Sequence, residues 1–241
     1  MNTLKTVMII GATSGIGRGL AEHFHARGYR VIITGRREHL LDEIERELGD
    51  RCHGFEMDVT QTNSAQSRFA EILRKVGDVD IVVLSAGTGA INIPLDWEVE
   101  EKIITTDVIG FAALASCAYN YFRNRGFGHL VGITSIAGER SLPQSIAYSA
   151  SKSFCAVYLT GIRNLARREK KKIYVTDIRP GYVDTILAQG PVFWCASVPK
   201  AAEQIFHAIH RKKKVAYITK RWYFVSLFAR FIPDWILSKL G

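Results

Sequence analysis

The sequence predicts an α/β fold, one doubly wound parallel sheet of about seven strands flanked by helices in a single domain. Three observations predict it. Short β-branched apolar runs alternate with helix-length segments, the pattern of strands buried on both faces. The first run ends in glycines that open directly into a helical pattern. The chain has 241 residues, 47% hydrophobic and 23% charged, which suits one domain with a full core.

In chain order, Thr6-Val-Met-Ile-Ile10 is a first strand, followed by glycines and a helix over 15–28. Arg30-Val-Ile-Ile-Thr34 is a second strand, with a helix over 37–48. Cys52-His-Gly-Phe-Glu56 is a weaker strand before a helix over 61–76. Asp80-Ile-Val-Val-Leu84 follows, then a long helix over 100–125. His129-Leu-Val-Gly-Ile-Thr134, a helix over 147–168, Lys172-Ile-Tyr-Val-Thr-Asp-Ile178, a helix over 199–211 and Val215-Ala-Tyr-Ile-Thr219 complete the alternation. Right-handed crossovers between such strands give the doubly wound sheet. The chain shows no internal repeat, low-complexity stretch or long linker.

The net charge of +9 is unevenly placed. Residues 211–241 hold eight Lys/Arg and one acid, Asp234, so +7 lies there and +2 in residues 1–210. A basic end, as opposed to a basic surface, argues against a broad nucleic-acid platform and points to the tail. Cys52, Cys117, Cys155 and Cys195 are scattered, with no Cys-x-x-Cys and no His/Cys group at zinc spacing. A reduced, cytoplasmic chain without a metal site is the expectation. His207 and His210 lack a supporting carboxylate and read as an exposed helix face. A strand begins almost at the N-terminus, which in this reading leaves no room for a secretory signal.

Gly11-Ala-Thr13-Ser14-Gly15-Ile16-Gly17 lies between the first strand and the first helix. One glycine permits a tight turn and another lets backbone approach a pyrophosphate, while the helix N-terminus offers N–H groups to the anion. Where the second strand ends, a site for NAD would place Asp or Glu against the ribose 2′-hydroxyl. Arg36 and Arg37 stand there instead, and guanidinium suits a 2′-phosphate. Arg18 adds to that charge in this reading. Asp58-Val59 has two readings, an acceptor for an adenine amino group or a helix cap.

Tyr148 and Lys152 are spaced i,i+4, which puts phenol and ammonium on one helical face, with Ser135 thirteen residues before the tyrosine. A cation a few ångströms from a phenol favours its ionised form and makes proton exchange with a substrate oxygen feasible.

With these motifs in order, the chain resembles the short-chain dehydrogenase/reductase family over residues from about 5 to 219. The resemblance rests on Gly11-x3-Gly15-x-Gly17, Ser85-Ala86-Gly87, Ser135, Tyr148-x3-Lys152 and Arg179-Pro180-Gly181-Tyr-Val183-Asp-Thr185. It implies a Rossmann-type fold and a nicotinamide cofactor, NADP(H) given the arginines. It implies that Ser135 holds a substrate oxygen, that Tyr148 exchanges a proton with it, and that Lys152 binds the nicotinamide ribose. Ala86 and Gly87 would lie against the cofactor, and Pro180, Gly181, Val183 and Thr185 would fix its carboxamide end. The substrate would be a ketone or secondary alcohol, and dimers or tetramers through the helices near 100–125 and 147–168 are expected. The family carries an asparagine where this chain has Asp107, in Asp107-Val-Ile-Gly110. An aspartate there can pair with Lys152, and Asp107→Asn is expected to keep turnover within about tenfold, ~1.4 kcal/mol of barrier.

The resemblance also places a variable substrate lid near 185–198, ahead of a tail at 220–241. Here the lid segment is short and apolar, so a bulky or apolar, lipid-like carbonyl compound is expected. Phe193 and Trp194 fold over the pocket or fill a subunit interface. The tail holds Trp222, Tyr223 and Trp235 among Lys and Arg, and its uncharged stretch between Arg221 and Arg230 has only eight residues. Spanning a bilayer takes about 20. The tail therefore reads as a peripheral membrane anchor, or as an arm packed on the core or a partner subunit. Two rival functions stand beside the oxidoreductase: a non-catalytic NADP-binding sensor or scaffold, and a membrane-associated interaction protein. Ser135, Tyr148 and Lys152 together argue against the first, because a pure binder needs no proton donor.

Overall fold

The computed structural model describes residues 4–186, 194–229 and 232–237. Seven parallel strands form one sheet: β1 (Thr6–Ile10), β2 (Arg30–Gly35), β3 (Cys52–Glu56), β4 (Ile81–Leu84), β5 (Phe127–Ile133), β6 (Lys172–Pro180) and β7 (Val215–Ile218). Their order is β3-β2-β1-β4-β5-β6-β7. The helices are α1 (Gly15–Ala26), α2 (Glu38–Leu48), α3 (Thr62–Val76), α4 (Trp97–Ile104), α5 (Phe111–Arg125), α6 (Ile146–Arg168), α7 (Val198–His210), α8 (Arg221–Ala229) and α9 (Asp234–Leu237).

β1 shows why the strands read as unbroken apolar runs. Its side chains alternate between faces, and both faces are covered. Val7 and Ile9 join a core with Leu20 and Phe24 of α1 and Ile205 and Phe206 of α7. Met8 and Ile10 join a second core with Phe69 of α3, Leu114 and Phe122 of α5, and Leu159 of α6.

After β3 the chain crosses β1 to form β4 on its far side. The loops leaving β1 and β4 therefore diverge, and a crevice opens beyond their carboxyl ends. The glycine turn and Ser85-Ala86-Gly87 both lie at that crevice.

The long helix expected over 100–125 is interrupted. It starts at Trp97 because Asp96 caps it, its carboxylate accepting the Glu98 N–H at 3.0 Å. A π-helical turn over Thr105–Gly110 then separates α4 from α5. At this turn the chain presses on the loop after β3, where a Cβ on Gly110 would lie 2.5 Å from the Val59 carbonyl oxygen. By length and composition alone, Trp97–Arg125 is long and apolar enough to cross a membrane. Half of its apolar window is buried, however, and it carries Asp107 into the interior.

Of the two readings of the tail, Trp222 takes the second: residues 221–229 form α8, and Trp222 is 2% exposed inside the molecule. Part of the tail is thus an arm packed on the core. Lid residues 187–193, including Phe193, lie outside the described residues.

β5 also carries a pH-sensitive group. His129 is buried, with Nε2 2.8 Å from Thr176 Oγ1. Burial first, then the positive potential of Lys212 and His210, pushes its pKa from 6.5 down to about 4. Above pH 6.5 the ring is neutral folded or unfolded and contributes nothing. As pH falls from 6.5 towards 4 only the unfolded chain takes the proton, so stability should drop by on the order of 3 kcal/mol. Urea midpoints across that range should show the drop, and His129→Asn should flatten it.

Candidate active site

The glycine turn is fixed by close approach. Gly11 has φ +87°, and a Cβ there would lie 2.4 Å from Ala86 Cα; one on Gly17 would lie 2.0 Å from the Gly11 carbonyl oxygen. The turn after β1 and the end of β4 therefore touch, and only glycine fits between them. Ser14 precedes α1 with extended backbone and makes no side-chain cap, and no acid sits in the first turn. The first N–H groups of α1, from Gly15, Ile16 and Gly17, thus keep their donor capacity for an anion.

Arg37 projects from the end of β2 onto this turn, and its Nη2 donates to Thr13 Oγ1 at 2.7 Å and Ser14 Oγ at 3.0 Å. Arg36 beside it is exposed. Arg18 is a correction, because its guanidinium is engaged by three carboxylates, Glu22, Glu43 and Glu47, at 2.7–3.1 Å. Its charge is spent on that cluster, whereas Arg36 and Arg37 at the strand end have no carboxylate partner among the described residues. Asp58 uses Oδ1 as a turn cap, accepting from Thr60 N–H and Oγ1 at 2.9 and 2.8 Å. Val59 beside it is buried.

Ser135 leaves β5 in extended conformation, its Oγ accepting the Ala137 N–H at 3.1 Å. Tyr148 and Lys152 lie one turn apart near the start of α6, with Nζ 5.4 Å from the tyrosine ring centroid. Lys152 is buried and pairs with the buried Asp107 carboxylate, Nζ to Oδ2, at 2.6 Å. The other carboxylate oxygen, Oδ1, accepts the Thr88 N–H at 2.8 Å. Burial alone would pull the ammonium pKa down; the Asp107 charge beside it prevails and holds it above its ordinary value. The Cys155 thiol donates to the Asp107 carbonyl at 3.1 Å, and burial pushes its pKa up to about 12. It is therefore a packing group and not a nucleophile.

Gly87 lies over this pair, since a Cβ on it would sit 3.0 Å from Lys152 Nζ. Pro180 closes β6, and the Gly181 N–H donates to the Ile218 carbonyl at 2.7 Å. Val183 bridges to Ala196, which joins the two ends of the lid segment. Thr185 reaches the glycine turn, with its methyl 3.1 Å from where a Gly15 Cβ would be. Gly15, Arg18, Gly19, Glu22, Asp184, Thr185, Ile186 and Val198 line an open depression of about 420 Å³. Ser135, Tyr148 and Lys152 do not line it.

The order of parts along the crevice decides the family. A sequence model described as short chain dehydrogenase matches residues 5–192. The chain belongs to the short-chain dehydrogenase family. An uncharacterized oxidoreductase of Myxococcus xanthus (strain DK1622) is 37% identical over 188 residues, 76% of this chain and 74% of that protein. The closed form of a serine dehydrogenase complexed with NADP+ superposes with TM-score 0.78 at 25% identity, over 88% of this chain and 93% of that one. A 3-ketoacyl-(acyl-carrier-protein) reductase from Brucella melitensis, complexed with NADH, superposes with TM-score 0.80 at 23% identity, over 88% and 95%, and supports the fold alone.

As a short-chain dehydrogenase, this chain is an oxidoreductase that uses a nicotinamide dinucleotide. Its residues fit that group: the uncapped first N–H groups of α1 would meet the pyrophosphate of such a dinucleotide. When bound, the dinucleotide supplies or accepts the hydride.

Sequence reasoning missed the N–H of Thr88 as the second partner of Asp107. It also missed a polar cluster beneath Ser135. Thr134 Oγ1 donates to Asp177 Oδ1 at 2.6 Å, Asp177 Oδ2 accepts from Arg179 at 2.7 Å, and Arg179 also pairs with Glu139. The charged residues within the β6 strand run were the available signal, since a strand covered on both faces does not bury charge unpaired.

Proposed function

We propose that the chain is an NADP(H)-preferring enzyme that interconverts a ketone and a secondary alcohol, with Tyr148 as proton donor in reduction and acceptor in oxidation. The buried Asp107–Lys152 pair carries the reading, because it fixes a permanent cation beside the phenol. That cation stabilises negative charge as it develops on the phenol oxygen, while the Ser135 hydroxyl is free to donate to the substrate oxygen. Lys152 would also reach the nicotinamide ribose, and Thr185 and the backbone after Pro180 the carboxamide.

The NADP preference rests on Arg36 and Arg37. Arg37 already spans the turn that would hold the adenosine ribose, and its hydroxyl partners can be exchanged for phosphate oxygens. Arg37→Asp should weaken NADPH binding by about 10- to 100-fold, the worth of a charge-assisted hydrogen bond. NADH binding should change by less than about threefold, since it presents no phosphate. Fluorescence titration with both coenzymes checks this; equal losses would remove Arg37 from the phosphate site.

A bulky or apolar, lipid-like substrate is supported by the apolar lid composition and by exposed Ile91 and Ile93 in the loop after β4. A screen of NADPH oxidation against ketones graded by chain length tests it. Exposed Phe154 and Val157 on α6, with Ile109 at the π-helical turn, support self-association through these helices. The four free cysteines support a reduced, cytoplasmic setting. The basic tail supports peripheral contact with an anionic membrane.

A further inference from the structure

Ser135 sits on a short segment that cannot hold its own shape. Thr134 follows β5, Ser135 caps a single 3-10 turn over Ile136–Gly138, and Glu139 ends it. Ser135 Oγ accepts the Ala137 N–H, and the Ser135 carbonyl accepts the Gly138 N–H at 3.2 Å. One such turn fixes several dihedrals for very few hydrogen bonds, so its neighbours must hold it. The serine hydroxyl moves wherever the turn moves.

The neighbours grip both ends of the segment through one guanidinium. At the first end, buried Thr134 donates to Asp177 Oδ1 at 2.6 Å, and Asp177 Oδ2 accepts from Arg179 Nε at 2.7 Å. At the other end, Arg179 Nη1 donates to Glu139 Oε1, and the Tyr217 hydroxyl donates to that same oxygen at 2.9 Å. Ser226 of α8 donates in turn to the Tyr217 hydroxyl at 3.3 Å. A planar fork with separate Nε and Nη edges serves both carboxylates at once, whereas a lysine ammonium is a single point. The side chains of Asp177, Glu139 and Arg179 are 0%, 8% and 15% exposed.

The gripped segment is pressed onto α6 where the reacting groups stand. A Cβ on Gly138 would come within 2.8 Å of the Lys152 backbone, and Ser153 Oγ donates to the Gly138 carbonyl. The place of the serine hydroxyl relative to Tyr148 is therefore set by backbone contact with α6 on one side and by the Arg179 network on the other. Stability alone does not explain that network. Desolvation of buried charges offsets most of their mutual attraction, and well-packed apolar side chains would hold β5 to β6 as well. What a charged fork adds is direction.

We propose that Arg179 and Glu139 are positioning residues for Ser135, clamping both ends of its segment so that the hydroxyl stays aimed at the substrate oxygen beside Tyr148. The aim rests on the role given to Ser135 in the ketone/alcohol reading above; the clamp does not. Glu139→Ala leaves Asp177 and Arg179 as a balanced pair, so the fold should survive. It should lower kcat with a ketone by about 10- to 100-fold while KM and NADPH binding stay within about threefold. Glu139→Gln keeps an acceptor for Arg179 and Tyr217 and should restore kcat to within about threefold. Arg179→Lys should lose as much as Glu139→Ala. In a Ser135→Ala background there is no hydroxyl to aim, and Glu139→Ala should there cost less than about threefold. An equal loss in both backgrounds would overturn the proposal, and so would full activity of Glu139→Ala; full activity of Arg179→Lys would remove Arg179 from it. Amide hydrogen exchange over residues 135–139 reads the clamp without turnover. Exchange should quicken in Glu139→Ala and slow again in Glu139→Gln, and equal exchange in all three proteins would overturn the clamp whatever the rates. If Ser135→Ala turns over as the unaltered protein does, the reading of Ser135 fails, and exchange alone decides the clamp.

Discussion

Tyr148→Phe should lower kcat by on the order of 10²-fold or more while leaving NADPH binding within about threefold. The phenol oxygen is the only atom removed. The ring still stands 5.4 Å from Lys152 Nζ, and a Cβ on Gly89 would still meet its edge at 2.8 Å, so the surrounding packing is kept. What disappears is the proton that a reduced carbonyl oxygen must receive. Steady-state rates of NADPH oxidation with coenzyme titration in parallel check this. A variant that binds and turns over as before would end the assignment of Tyr148 and revive a non-catalytic NADP-binding sensor or scaffold.

The second large effect concerns Asp107. Its carboxylate is fully buried, paired at 2.6 Å with a lysine whose side chain is 7% exposed. Removing one member of a buried pair leaves an uncompensated charge, which costs about 3–5 kcal/mol. Asp107→Leu should therefore lower stability by that amount, measured by urea denaturation, and abolish turnover as Lys152 escapes by losing its proton. Asp107→Asn is gentler: an amide oxygen still accepts from Thr88, and turnover near pH 7 should stay within about tenfold. Its signature lies in the pH profile. Asp107 holds the Lys152 ammonium above its ordinary pKa. That raised value adds stability which is fully present below the unfolded lysine pKa, near ~10.4, and is lost as pH rises beyond it. Asp107→Asn should move both this alkaline loss and the alkaline limb of the rate profile to lower pH. An unshifted profile would show that the carboxylate does not set the charge on Lys152.

Much of this was legible in the residues. β1 reads as five apolar residues and then glycine because both of its faces are buried and the chain must turn sharply against Ala86. Tyr148 and Lys152 share a face because four residues make about one helical turn. Arg37 was legible as a positive group at the end of β2. Arg18 was misread, because its partners Glu43 and Glu47 come from α2, and sequence distance hides that the two helices are neighbours. Trp222 left two readings open for a related reason: its apolarity suited a bilayer or a core equally, and only the position of Gly181 chose the core.

The residues by themselves determined which elements form and in what order, because periodicity, glycine placement and i,i+4 spacing act within one segment. The fold alone decided which groups meet. It brought Asp107 from a π-helical turn onto Lys152 of α6, forty-five residues away, and set Gly181, Tyr182 and Trp194 against Trp222 of α8. Such contacts depend on how buried elements stack across the sheet, where a charge must find its counterpart or lose its proton.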